Sequence, residues 1–418
     1  CAFGGVSLNN NTTGSNNIAI GKEAMYNNIS GYSNLAIGAS ALYQNTTISN
    51  LVAFGDSCLY HNGTGASGAL GTANTAVGSK SLFSNTIGFG NTALGYRSLY
   101  SNVNGSFNTA IGPGTLYHNI ANNNNTAIGY NAQYYANSSP DQQNTNNTAV
   151  GAEALRGSVS SHNNTGYSNT AIGYKTLFLN SSGYENTALG SYALNSNETG
   201  YQNIAVGSSA LSYNTIGWGN IAIGVQSLRD NVDGIYNIAI GGLLSNVDGD
   251  YNTTLGGLNS NISGNRNTAL GRYALSSNVA KNGNTAIGYA SMMNANDDLT
   301  VSYSYNTAVG YNALAGSTIP ANNTGIYNSS LGAYSLYNNT SGSNNLALGY
   351  QSGYGASGSN GSNNIFIGYK AGDNISSGSN NIILGYDIDV PSASRDEQMV
   401  LGKSTTLFGN LSNEFIGI

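Results

Sequence analysis

Small and apolar residues recur along this chain in one short phrase, Asn-Thr/Ile-Ala-Ile/Leu/Val-Gly, from end to end. Its glycines stand at Gly21, Gly38, Gly55, Gly78, Gly95, Gly112 and Gly129. They continue at Gly151, Gly173, Gly190, Gly207, Gly224, Gly241, Gly256, Gly271, Gly288, Gly310, Gly332, Gly349, Gly368, Gly385 and Gly402. The commonest spacing is 17 residues, and with Gly4 as a degenerate first copy there are 23 units. A full unit, such as Asn91 to Phe107, runs from the phrase into a Ser/Ala-Leu-Tyr segment and then an Asn-x-x-Gly turn. Self-similarity at so short a period marks a solenoid. Helix is excluded, because 17 residues do not keep a helical face in register and Gly, Asn and β-branched residues disfavour it. The pattern predicts an all-β fold: a parallel β-solenoid or β-roll of about 23 coils, stacked about 4.8 Å apart into a rod of roughly 110 Å.

Side chains along a strand alternate between two faces. The fourth position of the phrase is always aliphatic or Phe (Ile20, Ile37, Phe54, Val77, Leu94), which predicts that it points into the coil. The second position shares its side, and Asn, Ala and Gly then form the outer face. Ala is a poor strand former, so a nearly constant Ala predicts close approach by another backbone. On that reading Ala19, Ala36, Ala76, Ala93, Ala110 and Ala127 form a face packed against other subunits. Phe366, Ile383 and Val400 replace Ala near the C-terminus, where the same face would be thicker and more apolar. The Ala-Leu-Tyr segment reads as a second strand, with Leu inside and Tyr stacked outside.

The spacing also locates loops. The units near 129–173 and 288–332 are 22 residues long, and the two ending at Gly256 and Gly271 are 15. The extra residues, about 134–145, 156–167, 293–304 and 315–327, follow the Ala-Leu segment and come in two adjacent pairs 159 residues apart. A solenoid admits such insertions where no stacked neighbour is disturbed, and loops on a rigid scaffold often carry binding. Tyr134, Tyr135, Asp297, Asp298 and Tyr305 are therefore the candidate contacts to a cell-surface glycan or protein receptor. Residues 1–385 form the repeat rod, and 386–418 are degenerate repeats that read as a cap or junction.

Composition narrows the function. Only 12 Lys+Arg and 18 Asp+Glu occur in 418 residues, 7% charged against about 25% in an ordinary domain. Cations are too few for a nucleic-acid surface or a polybasic membrane anchor. No run of about 18 apolar residues is present to insert in a membrane. Thirty Tyr and the regular aliphatics argue against disorder.

Candidate chemistry is sparse. His61, His118 and His162 sit in or near turns of non-equivalent units, with no serine elbow or paired acids, so an enzyme is not expected and no catalytic residue is assigned. Gly-rich turns without a following helix carry no phosphate-loop signal. Asp233, Asp248 and Asp250 lie in successive turns, but Ca²⁺ takes six to eight oxygens; ordinary Asx turns are the expectation, with no metal and no cofactor. Asn28, Asn45 and Asn62 open Asn-x-Ser/Thr triplets of the kind chance supplies in such a composition. A row of Thr75, Thr92, Thr109 and Thr126 brings ice binding to mind, and assigning that column inward sets it aside. Cys58 stands where other units carry Ala or Ser and reads as a small buried residue. Cys1 is expected to be an arbitrary start, with a lipidated N-terminal cysteine as the alternative.

The N-T-A-I-G…A-L units resemble the heads of trimeric autotransporter adhesins, although the period of 17 is longer than the repeat of those heads. The resemblance implies a β-roll that packs as a trimer. The stretch Asn381-Ile-Ile-Leu-Gly-Tyr-Asp-Ile-Asp-Val-Pro-Ser-Ala-Ser, with Gln398-Met-Val-Leu-Gly and Leu407-Phe-Gly after it, is similar to the end of the stalk in proteins carrying a tail-fibre-type intramolecular chaperone. That implies a fibre trimerised by such a domain. The expectation is a homotrimeric extracellular fibre or adhesin, on a virion or cell surface, that mediates attachment. The alternative is a subunit of a filament that polymerises end to end through open coil edges.

Overall fold

The structure, a computed structural model, describes residues 1–64, 70–160, 163–241, 246–256, 261, 263–296, 300–402, 407–410 and 415–417. The chain is a parallel β-solenoid of about 22 turns with 17-residue spacing and no α-helix among the described residues. It divides into two compact units, Cys1–Trp218 and Gly219–Ile418. In the first, three-residue strands such as Thr92–Leu94 and Thr109–Ile111 stack in parallel from Ala2–Phe3 to Ile204–Val206. In the second, the stack runs from Ile221–Ile223 to Gln398–Leu401. Register is held one turn at a time, Ala93 against Ala110 and Ala110 against Ala127.

The two faces are the reverse of the sequence expectation. The third-position Ala points into the coil: Ala19, Ala36, Ala76, Ala93, Ala110 and Ala127 are 0% exposed within the single chain. They cannot form a face against other subunits. Phe366 and Ile383 are likewise buried in the coil's own core. The aliphatic fourth position points outward, with Phe54 50% and Leu94 45% exposed. The cause is the narrowness of the coil. The third position faces the Leu of the following segment, and a Leu-sized column on one wall leaves room only for Ala on the other. Where Phe366 replaces Ala, the opposite positions are Gly353 and Gly372, and a Cβ on either would overlap the Phe366 ring.

Asn, also expected outside, lines the interior in two columns. The Asn108 Oδ1 accepts the Asn125 backbone N–H at 3.0 Å, and its Nδ2 donates to the Asn122 carbonyl at 2.8 Å. In the second column Asn102 Nδ2 donates to Asn85 Oδ1 at 2.8 Å and to the Gly105 carbonyl at 2.9 Å. A buried amide is costly only when unpaired, and where the columns are uninterrupted, stacking pairs one amide with the next turn, as in other Asn ladders.

The Ala-Leu-Tyr segment is a turn, not a strand. Arg97 and Leu99 have φ of 55° and 50°, a left-handed conformation costing roughly 1–2 kcal/mol per non-Gly residue. It lets alternate amides point opposite ways: Arg97 N–H donates to the Ser79 carbonyl of the preceding turn, and Leu99 N–H to the Thr115 carbonyl of the following one. Leu99 is buried, as expected, and Tyr100 stacks outside. After the parallel stack, Leu407–Asn410 pairs antiparallel with Gln398–Leu401, and Phe415–Gly417 pairs antiparallel with Leu407–Asn410.

Candidate functional site

Three surface features stand out. The first is the outward face of the strands, where second and fourth positions form two rows. Between Thr75 and Thr187 the second row is Thr in each strand, and the fourth is Val77, Leu94, Ile111, Ile128, Val150, Ile172 and Leu189. The Thr column placed inward by sequence thus lies on the surface, and that ground for setting ice binding aside is removed. Leu94, Ile172 and Leu189 are 45%, 39% and 46% exposed, and Val77, Ile111, Ile128 and Val150 are half-buried. The two rows thus form a continuous, partly exposed strip, and large contiguous apolar surfaces mark interaction sites.

The second is aromatic. Tyr26, Tyr43, Tyr60, Phe83, Tyr100, Tyr117 and Tyr134 form a continuous column with ring centroids 5.0–5.3 Å apart. Tyr134 is its final ring rather than a free loop side chain. Tyr135 stacks on His118 at 5.4 Å and carries the Arg156 guanidinium 4.9 Å above its ring. In the other unit Tyr305 lies between Tyr303 and Tyr327, at 5.3 and 5.8 Å, and is half exposed. Asp297, Asp298 and His162 lie outside the described residues. Among the described candidates, Tyr134 and Tyr135 lie in the first unit and touch, and Tyr305 lies in the second.

The third is the pair of long-turn regions, where the insertions lie along the coil wall: Gln142 Nε2 donates to the Asn104 carbonyl at 2.8 Å. Insertion also interrupts the second Asn column, whose position is taken by Ala136, Ser158, Ala295 and Ser317 in the four long turns. A cavity opens beside each interruption. One, of about 30 Å³, is lined by Asn122, Gln133 and Tyr135. The other, of about 240 Å³, is lined by Met292, Asn294, Ser304, Asn306, Leu314 and Asn339 among others. Sequence reasoning missed both, although the missing Asn in those four turns was a readable signal.

The remaining candidates are quiet. Burial lowers the pKa of His61 and of His118, and His61 Nδ1 bonds Gln44 Oε1 at 2.9 Å. Cys58 is buried against Ser81 Oγ, and burial pushes its thiol up to about 11. Asp250 Oδ1 accepts the Ile235 N–H at 2.8 Å, a cross-turn bond. Burial and the neighbouring Asp233 raise the Asp248 carboxyl. Among the described residues no three His, Cys, Asp or Glu converge to hold a metal ion, and no helix is long and apolar enough to cross a membrane. No protein-family model matches the sequence, and no curated protein matches it.

Proposed function

We propose that this chain is the structural shaft of an extracellular attachment fibre on a virion or cell surface, assembled as a homotrimer through the outward strand face. The observation that supports this reading is the double row of Thr and aliphatic side chains. No charged side chain interrupts it between Thr75 and Thr187. Rows spaced at the strand repeat let identical chains pack in register along their length. Backbone ladders then supply stiffness, and three copies multiply weak receptor contacts.

Light scattering with electron microscopy tests the assembly. Rods of one length at three times 43.0 kDa are expected, and unbounded filaments would make the chain a polymer subunit instead. The Thr row supports a second reading. A stable monomer would leave a flat array repeating at about 4.8 Å open to solvent, and inhibition of ice recrystallisation would then assign it to ice.

A further inference from the structure

We propose that the larger cavity, in the 281–340 region, is a binding site for one neutral sugar unit. It rests on the attachment reading for its biological setting, while its geometry is independent of how chains associate.

The cavity follows from the interrupted Asn column. In a regular turn, the column Asn donates from Nδ2 both to a carbonyl three residues on and to Oδ1 of the Asn one turn back, as Asn102 does. Asn339, 5% exposed, keeps only the first bond, to the Gly342 carbonyl at 2.9 Å. The acceptor one turn back is gone, because Ser317 occupies that position. Its second Nδ2 hydrogen is left to the cavity that Asn339 lines. Asn294 lines the same space and its side chain makes no bond to a described residue. Ser304 Oγ donates to Asn284 Oδ1 at 2.8 Å, and the Asn306 amide is held by the Gly325 carbonyl and the Asn328 N–H at 2.9 and 2.8 Å, so Asn294 and Asn339 carry the polar groups open to a ligand. Met292 and Leu314 supply an apolar patch on the wall.

Open amide groups beside an apolar patch match a ring with hydroxyls on its edge and C–H groups on its face. Charge is matched as well. Among the described residues that line the cavity there is no acid and no arginine, and the cation Lys281 is engaged by the Thr300 carbonyl at 3.2 Å and Ser302 Oγ at 2.8 Å. A neutral ligand is therefore preferred to an anionic one.

The equivalent site in the first unit shows what closes it. Tyr135 stands where Asn294 stands 159 residues later, and the space shrinks to about 30 Å³. Asn122 Oδ1 and Gln133 Nε2 remain buried there without partners, a setting for an ordered water rather than a sugar.

The test is saturation-transfer NMR and calorimetry on the full chain with methyl glycosides of neutral hexoses, against glucuronate and an uncharged peptide as controls. Saturable binding of at least one neutral glycoside at one site per chain is expected. Asn294→Tyr should abolish it, and Tyr135 shows that the scaffold accepts Tyr at that position. Asn339→Ala should weaken it at least tenfold, with the circular dichroism of both variants unchanged. Absence of binding by every neutral glycoside, tighter binding of glucuronate or of the peptide, or binding indifferent to Asn294→Tyr would overturn the inference. A trimer that binds no sugar would sink this site and leave the fibre reading intact.

Discussion

Phe366 and the two glycines opposite it show how tightly volume is shared inside a coil. Elsewhere Ala faces Leu; here Phe faces Gly353 and Gly372, and the core stays filled. Phe366→Ala should therefore leave a cavity and cost about 3–5 kcal/mol in chemical denaturation. Gly372→Leu restores the usual pairing, and Leu already adopts positive φ at this repeat position, as Leu99 does at 50° against 68° for Gly372. The double variant should regain a coupling of about 1–3 kcal/mol. Were Phe366 a contact between subunits, the single variant would instead lower the oligomer's mass and leave the denaturation midpoint in place. The glycine of the repeated phrase is constrained in another way: at Gly112, φ is 129° and a Cβ would sit 2.7 Å from the Gly129 carbonyl oxygen. A row of stacked backbones, rather than any ligand, demands that residue.

At the scale of the turn, the period, the parallel stacking, the loop positions and the buried Leu were all legible in the sequence, because each follows from spacing alone. The direction of the faces was not. Alternation separates Thr92 and Leu94 from Asn91, Ala93 and Gly95, but it does not say which set is inside. Transfer hydrophobicity favours Leu94 over Asn91 for the core, and a ladder that pairs the Asn91 amide with neighbouring turns reverses that preference. Nor was the left-handed geometry of Arg97 and Leu99 readable, since their local propensities oppose it and only cross-turn hydrogen bonds repay the strain. The candidate site suffered in the same way: the insertions were visible, while the cavity beneath them depended on the inward Asn column. The last turns add a titrating element. Burial, and then the neighbouring Asp373 and Asp387, raise Asp389 from 3.8 to about 7, so the folded state holds this proton more tightly than the unfolded chain. Its contribution to stability is complete below about pH 4 and is lost as pH rises through 7. Hydrogen exchange around Asn374, whose N–H donates to Asp389 Oδ1 at 3.1 Å, should accelerate between pH 5 and 8 beyond the intrinsic base catalysis. Asp389→Asn should remove that excess, and an unchanged excess would show that another group is responsible.

For the molecule as a whole, the outward face decides what the protein is. A coil whose interior is built mainly of Ala, Asn and Leu columns buries little apolar surface, and the aliphatic fourth-position residues are left on the outside with Thr beside them. Leu94 and Leu189, 45% and 46% exposed, lie in that row and make no contribution to the interior columns. Replacing both with Lys should leave the circular dichroism of the solenoid intact, because exposed substitutions away from special features usually cost within about 0.5 kcal/mol. In a trimer packed through this face, the same change would bury six uncompensated charges, at several kcal/mol each, and the mass in light scattering should fall from three chains to one. A Leu94→Lys, Leu189→Lys chain that remains trimeric would place the subunit contact elsewhere. The Thr and aliphatic rows would then be open to solvent in the assembled protein, and ice recrystallisation would become the assay of choice for them.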